Sequence, residues 1–134
     1  MIIIKGRIST TEGPIPIDEV KPGMLVIDRW HRMREVLSVD ARTVTQVVAF
    51  ARSGTEVSVD AVINSVYGKR GFLKDSTIKE AKNPVRISGE GDRIMTDEFK
   101  IREAAKTGYE IVLSDSQTLF IDGYSFDLEG NDHA

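Results

Sequence analysis

Apolar positions along this chain come in short clusters of β-branched residues, cut by glycine, proline, aspartate and serine every few positions. That texture predicts many short strands, because Ile and Val are stiff at χ1 and suit a pleated surface. The first ten residues, with Ile2-Ile3-Ile4, read as strand. Glu12-Gly13 is a turn. Pro14 and Pro16 then keep the chain extended without amide donors, which places that segment on a sheet edge. Asp18-Glu19-Val20 fits one helical turn, Lys21-Pro22-Gly23 a second turn, and residues 24–30 another strand. From Met33 to Val66, the residues Val36, Val44, Val47, Val48, Val57, Val59 and Val62 predict three or four strands. Turns are expected at Asp40-Ala41-Arg42 and Ser53-Gly54.

Two segments read less simply. Residues 76–84 fit a short helix capped by Ser76 and stopped by Pro84, or a loop with one helical turn. Residues 96–108 fit a helix with Thr96 as its cap and Gly108 past its end, or a strand over Phe99–Arg102 followed by a turn. Periodicity does not choose between them. Residues 87–94 hold two glycines and two acids and read as a loop or hairpin tip. Tyr109 to Leu128 closes the pattern as a hairpin, and residues 129–134 form a polar tail. No linker, charge block or repeat divides the chain. The expectation is a single all-β domain over residues 1–128, β-dominated, with one or two short helices.

A chain of 134 residues can bury a sizeable core, and 40% hydrophobic with 29% charged residues fits an ordinary globular domain. Apolar runs are short throughout. Neither a membrane-spanning helix nor a signal peptide is predicted, and the expected location is the cytoplasm, or a virion if the chain is phage-encoded. The absence of cysteine removes disulfides, thiolate metal sites and thiol nucleophiles. His31 and His133 are the only histidines, too few for a three-histidine metal site, and no metal or cofactor is expected. A net charge of −3 gives no global pull toward nucleic acid or anionic membranes.

Two stretches at opposite ends of the chain carry a resemblance. Residues 8–27 place Ile8, Thr10 and Gly13 ahead of Ile17, Val20, Pro22, Gly23 and Val26. Residues 114–123 place Leu119 and Ile121 ahead of Gly123. Together they resemble the Hint fold, the β-rich domain of inteins and hedgehog autoprocessing domains, in its opening motif and in its His-x-Phe-x-Val-x-Gly strand. The resemblance implies a compact β domain. It also implies where autoprocessing chemistry would sit. Such chemistry needs a cysteine or serine as first residue, histidines to move protons, and a terminal His-Asn pair.

By that resemblance the first-residue nucleophile position falls on Met1, whose thioether has no proton to lose, and the expectation is that there is no upstream bond to cleave. The Thr-x-x-His motif places Val59 at the threonine and Val62 at the histidine. An alternative placement uses Thr96 and Phe99. The strand histidine is replaced by Gln117, which cannot shuttle protons near neutral pH. The His-Asn position falls at Asp127-Leu128. Met1, Val62, Gln117 and Asp127 are therefore vestigial positions, and the expectation is no enzyme activity. The chain is expected to be a structural or protein-interaction module, of the size of a phage tail, baseplate or assembly component, with other proteins as partners. An active autoprocessing or hydrolytic enzyme is the first rival reading and a nucleic-acid-binding module the second.

Two basic and aromatic stretches are the candidate contact residues: Arg29, Trp30, Arg32 and Arg34 beside His31, and Tyr67, Lys69 and Arg70. Trp and Arg are common at protein-interface hot spots, and a Trp can also stack a nucleic-acid base. The carboxylate pairs Asp18/Glu19, Asp97/Glu98 and Asp115/Asp122 read as solvated turns. Asp92, Asp97 and Glu98 lack calcium-loop spacing.

Overall fold

The computed structural model describes residues 1–64, 70–72, 85–90, 93–115 and 118–128, with backbone alone for 70–72 and 85. Among the described residues, thirteen strands follow in chain order. They are β1 (Ile3–Lys5), β2 (Arg7–Thr10), β3 (Gly13–Pro16), β4 (Leu25–Ile27), β5 (Met33–Phe50), β6 (Glu56–Val57), β7 (Val62–Asn64), β8 (Arg70–Phe72), β9 (Val85–Ser88), β10 (Ile94–Asp97), β11 (Phe99–Leu113), β12 (Thr118–Ile121) and β13 (Tyr124–Asp127). The one helical element among the described residues is a 3-10 turn at Ile17–Glu19. The fold is all-β. The expected helix over 76–84 lies outside the described residues.

One continuous sheet carries the strands in the order β11-β1-β6-β5-β4-β2-β12-β13-β7-β8. Because β11 also pairs with β5, the four strands β11, β1, β6 and β5 close into a ring. The proline-bearing β3 pairs with β2 alone and lies off this path, as a segment lacking two amide donors must. The β2–β3 turn is held by Thr10 Oγ1, which donates to Gly13 O at 2.6 Å and accepts from Glu12 N–H at 3.1 Å. The paired β9 and β10 form a separate hairpin that reaches the main sheet through a bridge between Gly89 and Tyr124.

The core gathers side chains from both ends of the chain. Ile3, Ile8, Val26, Val48, Val57, Leu119 and Ile121 are fully buried. Phe50 stands at the centre of an aromatic group, 5.3 Å from Phe99, 5.6 Å from Tyr124 and 6.2 Å from Phe126 between ring centroids. Tilted and edge-on rings at these separations add to what burial alone contributes.

Two sequence expectations are settled by the long strands. Asp40-Ala41-Arg42 is not a turn: it lies inside β5, paired with Glu110, Tyr109 and Gly108 of β11. Here β5 and β11 run as a ribbon with many exposed positions, so its side chains are polar, and the Arg42 and Glu110 charges lie 3.6 Å apart. Residues 99–113 are strand throughout, which resolves the helix-or-strand alternative. Long-range pairing overrides the helical propensity of Glu103-Ala104-Ala105-Lys106. Ala104 and Ala105 face the single residue Thr45, a bulge that keeps the ribbon in register on either side.

Candidate functional site

The first residue sits in a clamp made by the loop between β6 and β7. The Ile2 amide donates to Ser58 Oγ at 2.7 Å, and the Ser58 amide donates back to Ile2 O at 2.9 Å. Ser58 Oγ in turn donates to the Asp60 carboxylate, whose second oxygen lies 3.7 Å from the backbone nitrogen of Met1. The Met1 side chain is buried, and Ala61 behind the clamp is fully buried. A hydroxyl and a carboxylate are thus the polar groups that meet the first residue. The Ser58-Val59-Asp60 stretch offered a signal for this, since Ser and Asp two apart commonly bond to nearby backbone. Its partner lies 56 positions away, beyond the reach of local pattern.

Val62 begins β7, directly across from Asp127 of β13, and both are buried. The alternative pair is split: Thr96 lies on β10, while Phe99 packs into the aromatic group around Phe50. Gln117, Tyr67 and Lys69 lie outside the described residues, and Arg70 is described by its backbone in β8.

The other candidate stretch is a tight turn between β4 and β5, organised by Asp28. This carboxylate is 1% exposed. Its Oδ1 accepts from the amides of Trp30 and Arg32, both at 2.9 Å, and its Oδ2 accepts from Arg34 Nε at 3.1 Å. Arg34 Nε thereby helps to hold the turn. His31 adopts φ 60° at the tip, and the Arg29 amide donates to Thr118 Oγ1 of β12 at 3.1 Å.

No protein-family model matches this sequence, and no curated protein matches it significantly. Solved structures do. A bacterial intein-like domain from Clostridium thermocellum superposes with a TM-score of 0.76 at 15% identity, over 95% of this chain and 98% of that one. The gp41-1 intein gives a TM-score of 0.71 at 14% identity, over 94% and 97%. A DnaB intein from Synechocystis gives 0.62 at 10% identity, over 95% and 98%. The chain has the intein-like Hint fold.

Two buried carboxylates pin this Hint domain together. Asp97 was expected in a solvated turn, yet it is 0% exposed. It accepts from Tyr124 Oη at 2.5 Å and from the amides of Arg52, Glu98 and Ser53 at 2.7, 2.7 and 3.1 Å. Burial by itself would raise its pKa. The hydrogen bonds from Tyr124, Arg52, Glu98 and Ser53 outweigh burial and hold the carboxyl below the ordinary range. Asp28 follows the same logic: burial raises it, and the bonds from Arg32, Arg34 and Trp30 pull it lower overall. Tyr124 moves the other way. Burial and the bond to Asp97 push its hydroxyl up to about 12.

These directions fix a pH profile. A carboxyl depressed in the folded state stabilises fully above its unfolded value, here 3.8, and loses that contribution as pH falls through the folded value. A tyrosine raised from 10.0 to about 12 stabilises fully below 10.0 and loses its contribution as pH rises toward 12. The urea midpoint is therefore expected to stay level between about pH 5 and 9, then fall on both sides. Asp28→Asn should flatten the acid limb and Tyr124→Phe the alkaline limb. A wild-type midpoint that did not change between about pH 4 and 2 would contradict the assignment of both carboxylates.

Proposed function

We propose that this Hint-fold domain carries no autoprocessing chemistry and works as a structural or protein-interaction module of a larger assembly. The observation that supports this is the clamp around Met1. The first residue offers a buried thioether where the reaction needs a thiol or hydroxyl nucleophile. The hydroxyl that meets the first peptide is Ser58, which suggests a second register for the Thr-x-x-His motif, with Ser58 at its start and Ala61 at its end. In every placement, Val62, Phe99 or Ala61, the proton-donating position is a hydrocarbon side chain and cannot protonate a departing amide nitrogen. Asp60 beside Met1 is an acceptor as a carboxylate.

A fusion with a small folded domain on each side of the full chain tests this reading. Intact mass after long incubation, with and without added thiol, should show one species at the full mass. Met1→Cys alone should leave that result unchanged, because without a proton donor for the departing amide nitrogen the acyl shift onto the new thiol does not proceed and no thioester forms for added thiol to cleave. Joined flanks, or freed flanks from the unaltered sequence, would overturn the proposal. Within that reading, a phage tail or baseplate is the assembly that best suits a small domain of this kind. It rests on analogy of size and architecture. Tail or baseplate genes beside this one would support it, and metabolic genes would remove it.

A further inference from the structure

The stretch from Asp28 to Arg34 spends unusual effort on holding one turn rigid. A buried carboxylate accepts two amides and a guanidinium. The Asp28 amide donates to Arg32 O at 3.0 Å, and the His31 amide to Asp28 O at 2.9 Å. The turn is also bonded to β12 through Thr118, and the His31 ring sits 6.4 Å from Phe120. None of this buries the turn's largest side chain. Trp30 is 57% exposed.

Trp30 carries two guanidiniums, Arg29 at 5.4 Å and Arg32 at 5.5 Å from its ring centroid. A guanidinium lying against an indole face is held in place, while its in-plane N–H donors stay free at the edge. Among the described residues, no carboxylate forms an ion pair with Arg29, Arg32 or Arg93. Arg34, two positions further on, does have such a partner in Asp28. Arg29, Arg32 and Arg93 are exposed, and Arg93 Nε donates to Glu90 O at 3.3 Å, which leaves its terminal N–H groups to face the solvent.

Beside the turn lies a cleft of about 320 Å³ between it and the β9–β10 hairpin. Arg29 and Arg93 line it from the two sides, with Phe120, Ile94 and Ser125 also lining it. Ser125 is 2% exposed and accepts from Asn64 Nδ2 at 2.8 Å, so its own proton is left to donate. A cleft of that volume takes side chains and not a duplex. Its donors are two guanidiniums and a hydroxyl, and its walls are partly apolar.

We propose that the Asp28–Arg32 turn and this cleft dock an acidic segment of a partner protein. An Asp or Glu side chain enters between Arg29 and Arg93 and also accepts from the Ser125 hydroxyl. A second carboxylate of the same segment meets the edge of Arg32, and an apolar residue between them lies on Trp30. The turn is set before the partner arrives, so docking orders little of this chain. Charge favours a peptide over nucleic acid. A phosphate backbone needs a broad positive surface, whereas this chain is net −3 and exposes Glu35 just after Arg34. The inference names a partner chemistry for the interaction module proposed above and rests on that reading. Processing in the fusion experiment would overturn that reading without touching the binding result below.

The test uses the full chain and a fluorescein-labelled dodecapeptide of alternating Glu, Asp and Leu. A second peptide replaces Glu and Asp by Gln and Asn, and a labelled twelve-base single-stranded oligonucleotide completes the set. Anisotropy reports binding, and Trp30, as the sole tryptophan, reports contact at the turn through its own fluorescence. The acidic peptide should bind saturably, shift the Trp30 emission, and bind about tenfold or more tightly than the amide peptide. Arg29→Ala and Arg93→Ala should each weaken it about tenfold. Arg42→Ala, on the far ribbon, should leave it unchanged. No saturable binding up to about 1 mM acidic peptide, or equal binding of the amide peptide, overturns the proposal. Tighter binding of the oligonucleotide, lost steeply with salt, overturns it in favour of a nucleic-acid contact.

Discussion

Replacing Asp97 by alanine should lower the unfolding free energy by about 3–5 kcal/mol, the largest effect expected from any single polar side chain in this domain. The carboxylate joins three places that are far apart in sequence. It receives the Arg52 and Ser53 amides from the turn after β5, the Glu98 amide at the junction of β10 and β11, and the Tyr124 hydroxyl from β13. Removing it leaves three amides and a phenol without their acceptor, at a position where the carboxylate itself has no exposed surface. Each orphaned donor costs about 1–3 kcal/mol where water cannot reach it, and partial collapse of the site recovers some of the sum. For a domain of this size the loss corresponds to a fall in Tm of about 10–20 °C. Asp97→Asn keeps one oxygen in place and should cost about half as much. Tyr124→Phe removes one donor and leaves the carboxylate its three amides, so it should cost about 1–2 kcal/mol. A double-mutant cycle between the two positions isolates their bond. If Asp97→Ala unfolded within about 1 kcal/mol of wild type in urea, the carboxylate would not be the tie described here.

The sequence and the structure agree where side-chain chemistry is local. Ile3, Ile8, Val26, Leu119 and Ile121 alternate or cluster as strand residues and are buried. The Ser53-Gly54 turn and the Asp122-Gly123 turn sit where glycine permits φ of +77° and +82°. Agreement fails where a segment answers to a distant partner. The middle of β5 and the facing part of β11 look like a turn and a helix by composition, because a ribbon exposed to solvent carries no apolar alternation. Asp97 looks solvated because its four donors come from segments that are mostly remote in sequence. The β4–β5 turn was half legible. Asp28, Arg29, Trp30 and Arg32 are visible in the sequence as one contact candidate, while the burial of Asp28 and its hold on the turn are not. An aspartate whose carboxylate can cap the amides two and four residues on is a recognisable turn signal, and it was present in the sequence. At the first residue, Met1 could be placed by resemblance, but Ser58 and Asp60 could be found only from the pairing of β1 with β6.

Gly108 draws these strands together, and Gly108→Ala should cost about 2–3 kcal/mol through a clash rather than through backbone strain. By composition it fits the position past the end of a helix or a turn after a short strand. In the structure it lies within β11 beside β1, where Tyr109 pairs with Ile3. A Cβ there would stand 2.7 Å from Ile3 O and 2.8 Å from Ile2 Cγ2. The nearest obstacle is backbone, which cannot swing aside as a side chain would. Relief requires β1 to move off β11, and β1 is the strand that delivers Met1 and Ile2 to Ser58 and Asp60. The substitution should therefore do more than lower the urea midpoint. It should speed hydrogen exchange at the Ile2 and Ser58 amides, which exchange hydrogen bonds across that junction, well before it affects the amides of β12 and β13. Gly13→Ala is the matching control. Its φ of +102° makes alanine strained, but nothing lies within 4 Å of the added carbon, so it should cost only about 1–2 kcal/mol and leave the Ile2 amide protected. If Gly108→Ala matched wild type in both midpoint and exchange, β1 would not be seated against β11 as closely as the 2.7 Å approach requires. The seat of the first residue would then have to be held by the Ser58–Ile2 bonds, Asp60 and the β1–β6 pairing.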